Sequence, residues 1–213
     1  MIRGIVFDLD GTLADTERLQ WAAYRRVLNE FGVDVGLEEY RRHWIAVEGG
    51  SEYACQTYRL PITAAQLRTR KATAYRTLIE QGVHAIPGAR AALERLRPTC
   101  RLALATNSVR AEVAVILGHL RFGAFLDVAI AREDYAQPKP APDAYLAAAA
   151  ALGLPAAACV VVEDTERGLR AGMTARMQVI AVPSDLTFDN DFTGAACRLT
   201  HLDELTPELL ARI

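Results

Sequence analysis

The chain is short of several things, and each shortage removes a class of function. Only four of its 213 residues are cysteine. They stand at Cys55, Cys100, Cys159 and Cys197, and no two form a Cys-x-x-Cys pair. A zinc site therefore has no local support, and reduced thiols in a cytoplasmic setting are the default. An excess of one charge is missing too. The net charge is −2, so no global basic field recruits nucleic acid or an anionic membrane. No dinucleotide-type glycine pattern, internal repeat or low-complexity linker is present. Long apolar runs are scarce. Ala144–Val162 carries no charge and nearly reaches the length of a membrane span, but Gly153 and Pro155 interrupt it. Much of it is alanine, a weak driver of insertion. It reads as an Ala-rich helix, a turn and a buried strand, "CVVVE". Met1-Ile2-Arg3 leads straight into a strand-like run, so no signal peptide is expected.

What remains is an ordinary globule, 51% apolar and 23% charged, long enough for one large domain or a domain with a smaller insert. Short apolar runs recur at Arg3–Phe7, Arg101–Thr106, Val128–Ala131, Cys159–Glu163 and Gln178–Val182. Their continuous rather than alternating apolarity suits strands covered on both faces. Helical patterns separate most of them: Pro87–Arg97, Ser108–Leu120 with a serine cap, Pro142–Leu152, and Thr165–Ala175 with a threonine cap. Alternating strand and helix implies an α/β fold, a doubly wound parallel sheet with helices on both sides. From about Asp15 to His84 the alternation stops. Arg18–Phe31, Leu37–Ala46, Glu52–Tyr58 and Ala64–Gln81 all look helical. The expected organisation is a core of 1–14 and 85–213 with a helical insert at 15–84. Its hinges fall near Ala14–Thr16 and Gly82–Gly88.

In a doubly wound sheet, ligands bind at the carboxyl ends of the strands. Those ends carry Asp8, Asp10 and Gly11; then Thr106, Asn107 and Ser108; then Gln137-Pro138-Lys139-Pro140; then Glu163, Asp164 and Thr165. Several carboxylates meeting at one edge repel each other unless a cation sits among them, and oxygen-only ligands favour Mg²⁺. A helix N-terminus and a lysine favour an anion. Together they point to a phosphate ester. One aspartate can attack phosphorus, and the other can move protons. Taken singly, each group has a plainer reading: turn and cap residues for Asp8 and Asp10, a helix cap for Thr106-Asn107-Ser108, a solvated loop charge for Lys139, a macrodipole partner for Glu163-Asp164. Gly168 and Gly172 read as small residues that let a helix approach the sheet. His43, Trp44, Tyr53 and Tyr58 read as packing within the insert.

"DLDGT", "ATNS", "KPAPD" and "VEDTERGLRAG", in that order, resemble the four motifs of the haloacid dehalogenase-like superfamily. The insert after the first motif resembles that of the phosphoglycolate phosphatase and β-phosphoglucomutase branch. The resemblance implies a Rossmann-like core with an α-helical cap. It implies Asp8 as nucleophile and metal ligand, and Asp10 as acid/base that also offers its backbone carbonyl to the metal. Thr106 with Asn107 would hold the phosphoryl group. Lys139 would pair with the phosphoryl group and the nucleophile. Asp164 would bind Mg²⁺, with Glu163 assisting directly or through water. The implied activity is Mg²⁺-dependent hydrolysis of a small phosphorylated metabolite (a sugar, polyol or glycolate phosphate) by a monomer or weak dimer.

Three other readings compete. A sugar-phosphate mutase of the same fold places an arginine in a cap segment for which "VEGGSE" is the nearest counterpart here, and that segment has none. Such mutases also carry histidine where this chain has Gln20. A dehalogenase would leave Asp10 and the Glu163-Asp164 pair poorly explained. A non-catalytic metabolite-binding module typically lacks one of the core groups, and here none is missing. In "VEGGSEY", Glu48, Ser51 and Glu52 are candidates for reading substrate hydroxyls; a solvated acidic loop is the alternative.

Overall fold

The computed structural model describes residues 1–45 and 49–213. They divide into two compact units, one of residues 1–15 with 84–213 and one of residues 16–83.

The first unit is built on six strands: β1 (Gly4–Phe7), β2 (Arg101–Ala105), β3 (Val128–Ile130), β4 (Cys159–Glu163), β5 (Gln178–Ala181) and β6 (Cys197–Arg198). They form one sheet in the order β3-β2-β1-β4-β5-β6. Every neighbouring pair is parallel. The strands are short and apolar because both faces are covered. Ile5, Val6, Phe7, Leu102, Leu104 and Val160 are fully buried. Five strands match the apolar runs. The sixth, β6, is two residues long and carries no periodic signal.

The chain steps outward from β1 in one direction through β2 and β3, and in the other through β4 to β6. The reversal beside β1 opens a crevice at the carboxyl edge. Helices α5 (Ala89–Leu96), α6 (Arg110–Leu120), α7 (Asp143–Ala151), α8 (Glu166–Thr174) and α9 (Pro207–Leu210) lie between or after the strands. The uncharged run at 144–162 is α7, a short turn and β4. Among the described residues no helix is long and apolar enough to cross a membrane.

Beyond β1 the backbone turns sharply. Leu13 and Ala14 both donate their amides to Leu9 O, and Gly11 donates to Ala14 O at 2.8 Å. Gly11 adopts φ +83°, and a Cβ there would run into the Asp164 carboxylate, so the turn needs glycine on both counts. The chain then leaves this unit and returns beside itself. Asp15 N donates to His84 O at 2.9 Å, Ile86 N donates to Leu13 O at 3.0 Å, and Ala14 bridges Ala85 antiparallel.

The second unit is helical: α1 (Glu17–Asn29), α2 (Leu37–Tyr40), a π-helical turn (Arg41–Ile45), α3 (Gly50–Thr57) and α4 (Ala64–Gln81). α1 packs on α4 through Ala23, Val27 and Leu28 on one side and Leu67, Ala74, Tyr75 and Ile79 on the other. A reciprocal Thr63–Gln66 cap starts α4. The helix expected over Leu37–Ala46 instead widens after Tyr40 into the π turn, and Ala46 lies outside the described residues.

The aromatic residues do pack within this unit. Trp44 lies 5.5 Å from Tyr24 and 5.6 Å from Tyr40, His43 stacks on Tyr53 at 3.8 Å, and Tyr53 and Tyr58 both donate to Glu39.

Candidate active site

Register brings the chemistry to one edge. Phe7 stands opposite Leu104 on one side and Val162 on the other. The next residues along these strands are therefore Asp8, Ala105 and Glu163, side by side. The amide of Asp8 extends the ladder, donating to Val162 O at 3.0 Å. Asp8, Thr106, Lys139, Glu163 and Asp164 are all buried, in a molecule where buried charge must be paired.

Lys139 is the centre of that pairing. Its Nζ donates to Asp8 Oδ1 at 2.5 Å, Glu163 Oε1 at 2.8 Å and Ala105 O at 3.0 Å, using all three protons. Its loop is fixed from below. Asn107 Oδ1 accepts from Lys139 N at 3.1 Å, and the Tyr135 hydroxyl lies 2.8 Å from both Asn107 Oδ1 and Thr106 O. The Lys139–Pro140 peptide is cis.

Glu163 is bonded on both carboxyl oxygens. Oε1 accepts from Lys139 and from Tyr145 OH at 2.6 Å. Oε2 accepts from Asp164 N, Thr165 N and Thr165 Oγ1. Gly168 makes room for it, since a Cβ there would run into the Glu163 carboxyl. Asp164 Oδ1 accepts from Thr12 Oγ1 at 3.2 Å.

Asp10 is held differently. Its Oδ2 accepts from Thr106 Oγ1 at 3.0 Å and from Ser108 Oγ at 2.7 Å, while Ser108 N donates back to Thr106 Oγ1. The expectation of a serine cap at Ser108 is corrected here. Helix α6 begins two residues later, after Val109, and its first amide, Arg110 N, is capped by the Glu133 carboxylate at 2.9 and 3.1 Å. Glu133 frees the Ser108 hydroxyl for Asp10. The threonine cap at Thr165 forms as expected, accepting from Gly168 N.

The charges follow from this packing. Burial pushes the Asp8 carboxyl up to about 8; Lys139 pulls it down, while Glu163 and Asp10 push it further up. Burial also works against ionised Glu163, but the charge and hydrogen bond of Lys139, with Tyr145 and Thr165, bring it below the usual carboxylate range. Burial lowers Lys139, yet Asp8 and Glu163 outweigh it and hold the amine above its ordinary value.

Among the described residues, Asp8, Glu163 and Asp164 bring carboxylate oxygens within 4.8 Å of one another. One lysine, bonded to Asp8 and Glu163, is the cation set among these acids. An oxygen-only donor set with surplus negative charge fits a hard divalent cation.

The core site residues read from the sequence thus converge. Two more were expected in the insert. Ser51 is buried and its Oγ lies 3.0 Å from Tyr24 OH within the helical unit, and Glu48 is outside the described residues. Glu52 pairs with Arg68 at 2.6 Å. Ser108 and Tyr145 escaped the sequence reading as site residues. The first looked like a cap, and the second lay in an alanine-rich helix with no pattern to mark it.

The family model for the haloacid dehalogenase-like hydrolases matches residues 5–182. Protein CbbY of Rhodobacter capsulatus is 32% identical over 224 aligned residues, covering 100% of this chain and 99% of that protein. Fructose-1-phosphate phosphatase YqaB of Escherichia coli is 28% identical, covering 84% of this chain and 95% of that one. Among solved structures, a CbbY mutant from Rhodobacter sphaeroides in complex with xylulose-(1,5)bisphosphate superposes with a TM-score of 0.80 at 31% identity, covering 96% of each chain. A family model that spans residues 5–182 and a relative aligned along the full chain show that the protein belongs to the haloacid dehalogenase-like hydrolases.

Proposed function

We propose that this hydrolase is a Mg²⁺-dependent phosphatase of small sugar phosphates working through an aspartyl-phosphate. The observation that carries the reading is Asp8, buried at a strand end and held at 2.5 Å by a lysine that also grips Glu163. An Asp8 carboxylate oxygen attacks phosphorus and the ester P–O bond breaks. Asp10 gives its proton to the departing oxygen. Asp10 then takes a proton from water, the resulting hydroxide attacks the same phosphorus, and the P–O bond to Asp8 breaks to release phosphate.

Lys139, Thr106 and Asn107 bind the phosphoryl oxygens. Asp8, the Asp10 carbonyl and Asp164, with Glu163 beside them, would hold Mg²⁺. When bound, the cation neutralises charge on the phosphoryl group. The helical unit at 16–83 serves as the cap that selects substrate, with Glu48 and Ser51 as candidate contacts. Xylulose 1,5-bisphosphate and fructose 1-phosphate, named with two of the relatives, share a C1 phosphate beside a C2 ketone. A ketose 1-phosphate is therefore the substrate class this reading favours.

The test is phosphate release with Mg²⁺ from fructose 1-phosphate, xylulose 1,5-bisphosphate, glucose 6-phosphate and p-nitrophenyl phosphate. The two ketose phosphates should be turned over best. Asp8→Asn should lose at least about 10⁴-fold in kcat while remaining folded. Full activity in that variant would overturn the nucleophile. Isomerised sugar phosphate from β-glucose 1-phosphate with a bisphosphate primer, in place of free phosphate, would make the protein a mutase.

A further inference from the structure

Tyr145 has no part in the reaction just described, yet it touches the groups that do. It is fully buried on α7, six residues beyond Lys139. Were it only filling volume, phenylalanine would serve, because a buried hydroxyl costs free energy unless it is bonded. Its hydroxyl is bonded, and the partner is telling. The 2.6 Å bond ends on Glu163 Oε1, the same oxygen that accepts from Lys139 Nζ. Its ring centroid also lies 4.5 Å from that Nζ, within cation–π range. One side chain thus restrains the lysine by two routes, through the acceptor and through the ring.

Glu163 in turn is held on both oxygens. Its five donors come from Lys139, Tyr145, Asp164 and Thr165. A carboxylate so occupied acts as a fixed anchor rather than as a mobile ligand. Lys139 has all three of its protons engaged, and it must shift one of them toward a phosphoryl oxygen as charge builds there. It can do so in register only if its other contacts stay where they are.

We infer that Tyr145 is a positioning residue, holding Glu163 and Lys139 in the geometry that phosphoryl transfer at Asp8 requires. The inference rests on the phosphatase reading. It differs from that reading in what it needs: a phenol that never meets substrate still sets kcat.

The experiment is steady-state kinetics of Tyr145→Phe on the best ester of the panel, with a thermal melt alongside. The ring, and with it the cation–π contact, is kept; only the hydroxyl goes. Expected are a kcat about tenfold lower, a KM within about twofold of wild type and a cooperative melt. A double-mutant cycle with Glu163→Gln asks whether the effect passes through Glu163. In that background Tyr145→Phe should cost no more than about twofold further.

Wild-type kcat in Tyr145→Phe, a loss confined to KM, or losses that multiply independently in the cycle would each overturn the role, while leaving the phosphatase reading intact. If the single variant melts too low at the assay temperature, the same kinetics are measured below its Tm, and the same outcomes decide. A wild-type chain that releases no phosphate from any ester overturns the phosphatase reading and this inference with it.

Discussion

Asp10 sits where two hydroxyls converge on one oxygen, and those hydroxyls are not equivalent. Thr106 Oγ1 donates to Asp10 and also accepts the amide of Ser108; Ser108 Oγ only donates. Removing Ser108 Oγ costs one bond. Removing Thr106 Oγ1 costs its bond to Asp10, orphans a loop amide and, on the proposed mechanism, takes away a phosphoryl contact. Ser108→Ala should therefore lower kcat a few-fold, about what one hydrogen bond to a charged group is worth. Thr106→Ala should lower it by on the order of 10²-fold, as loss of a preorganised donor does. Initial rates on a common ester would establish the order; equal losses would mean that Ser108 carries as much as Thr106. Asp10→Asn, which removes the proton carrier of the proposed mechanism, should fall between 10²- and 10⁴-fold by the usual scale for general acid–base groups.

Helix α8 meets the sheet through two glycines, and they make different contacts. A Cβ on Gly172 would lie 2.6 Å from Val179 Cγ2 and 3.3 Å from Val161 Cγ2, apolar groups on β5 and β4. A Cβ on Gly168 would displace the Glu163 carboxyl. Gly172→Ala should therefore cost about 1–3 kcal/mol of stability with kcat preserved at low temperature, as overpacking does. Gly168→Ala should cost activity beyond its effect on Tm, because Glu163 takes Lys139 with it. Parallel melts and kinetics would tell them apart; the same ratio of kcat loss to Tm loss in both would remove the distinction.

The pair shows how far local pattern reaches. That small residues stand on this helix is legible from "ERGLRAG", and so are the apolar strands and the acids that end them. Which glycine faces an acid is a matter of tertiary register. The same holds for Ser108, where a local cap was the reasonable expectation until Glu133, distant in sequence, took that place. It holds for Tyr145 too, which sits among alanines and gains meaning only because β4 delivers Glu163 to its hydroxyl.

The molecule as a whole carries more acid at one edge than a single lysine balances, and its stability should report it. Burial pushes the Asp8 carboxyl up to about 8 from an ordinary value of 3.8. The folded chain therefore holds a proton that the unfolded chain releases between about pH 4 and pH 8. The stabilisation this proton represents is complete below about 4 and fades as pH rises toward 8. Glu163, shifted the opposite way, acts only in the acid range below its own ordinary value. In chelator, Tm should fall from pH 5 to pH 8, and Asp8→Asn should flatten that slope. A cation held by Asp8, as proposed, would compete with that proton, so added Mg²⁺ should raise Tm more at pH 8 than at pH 6. An equal rise at both would show that Asp8 is not among the groups that release a proton to the metal.

Scale also changes how the two crossings between the units look. The segment that departs at Asp15 and the one that arrives at His84 are hydrogen-bonded partners in the same unit. The sheet unit therefore sees residues 16–83 as a closed loop whose ends already meet, and loop-closure entropy grows only slowly with length. A tight turn of roughly two to four residues joining Asp15 to His84 should leave a sheet unit that still melts cooperatively. The same seam would accept a foreign helical module whose ends lie equally close; if residues 16–83 are the cap proposed above, that graft should change substrate preference without touching Asp8 or Lys139.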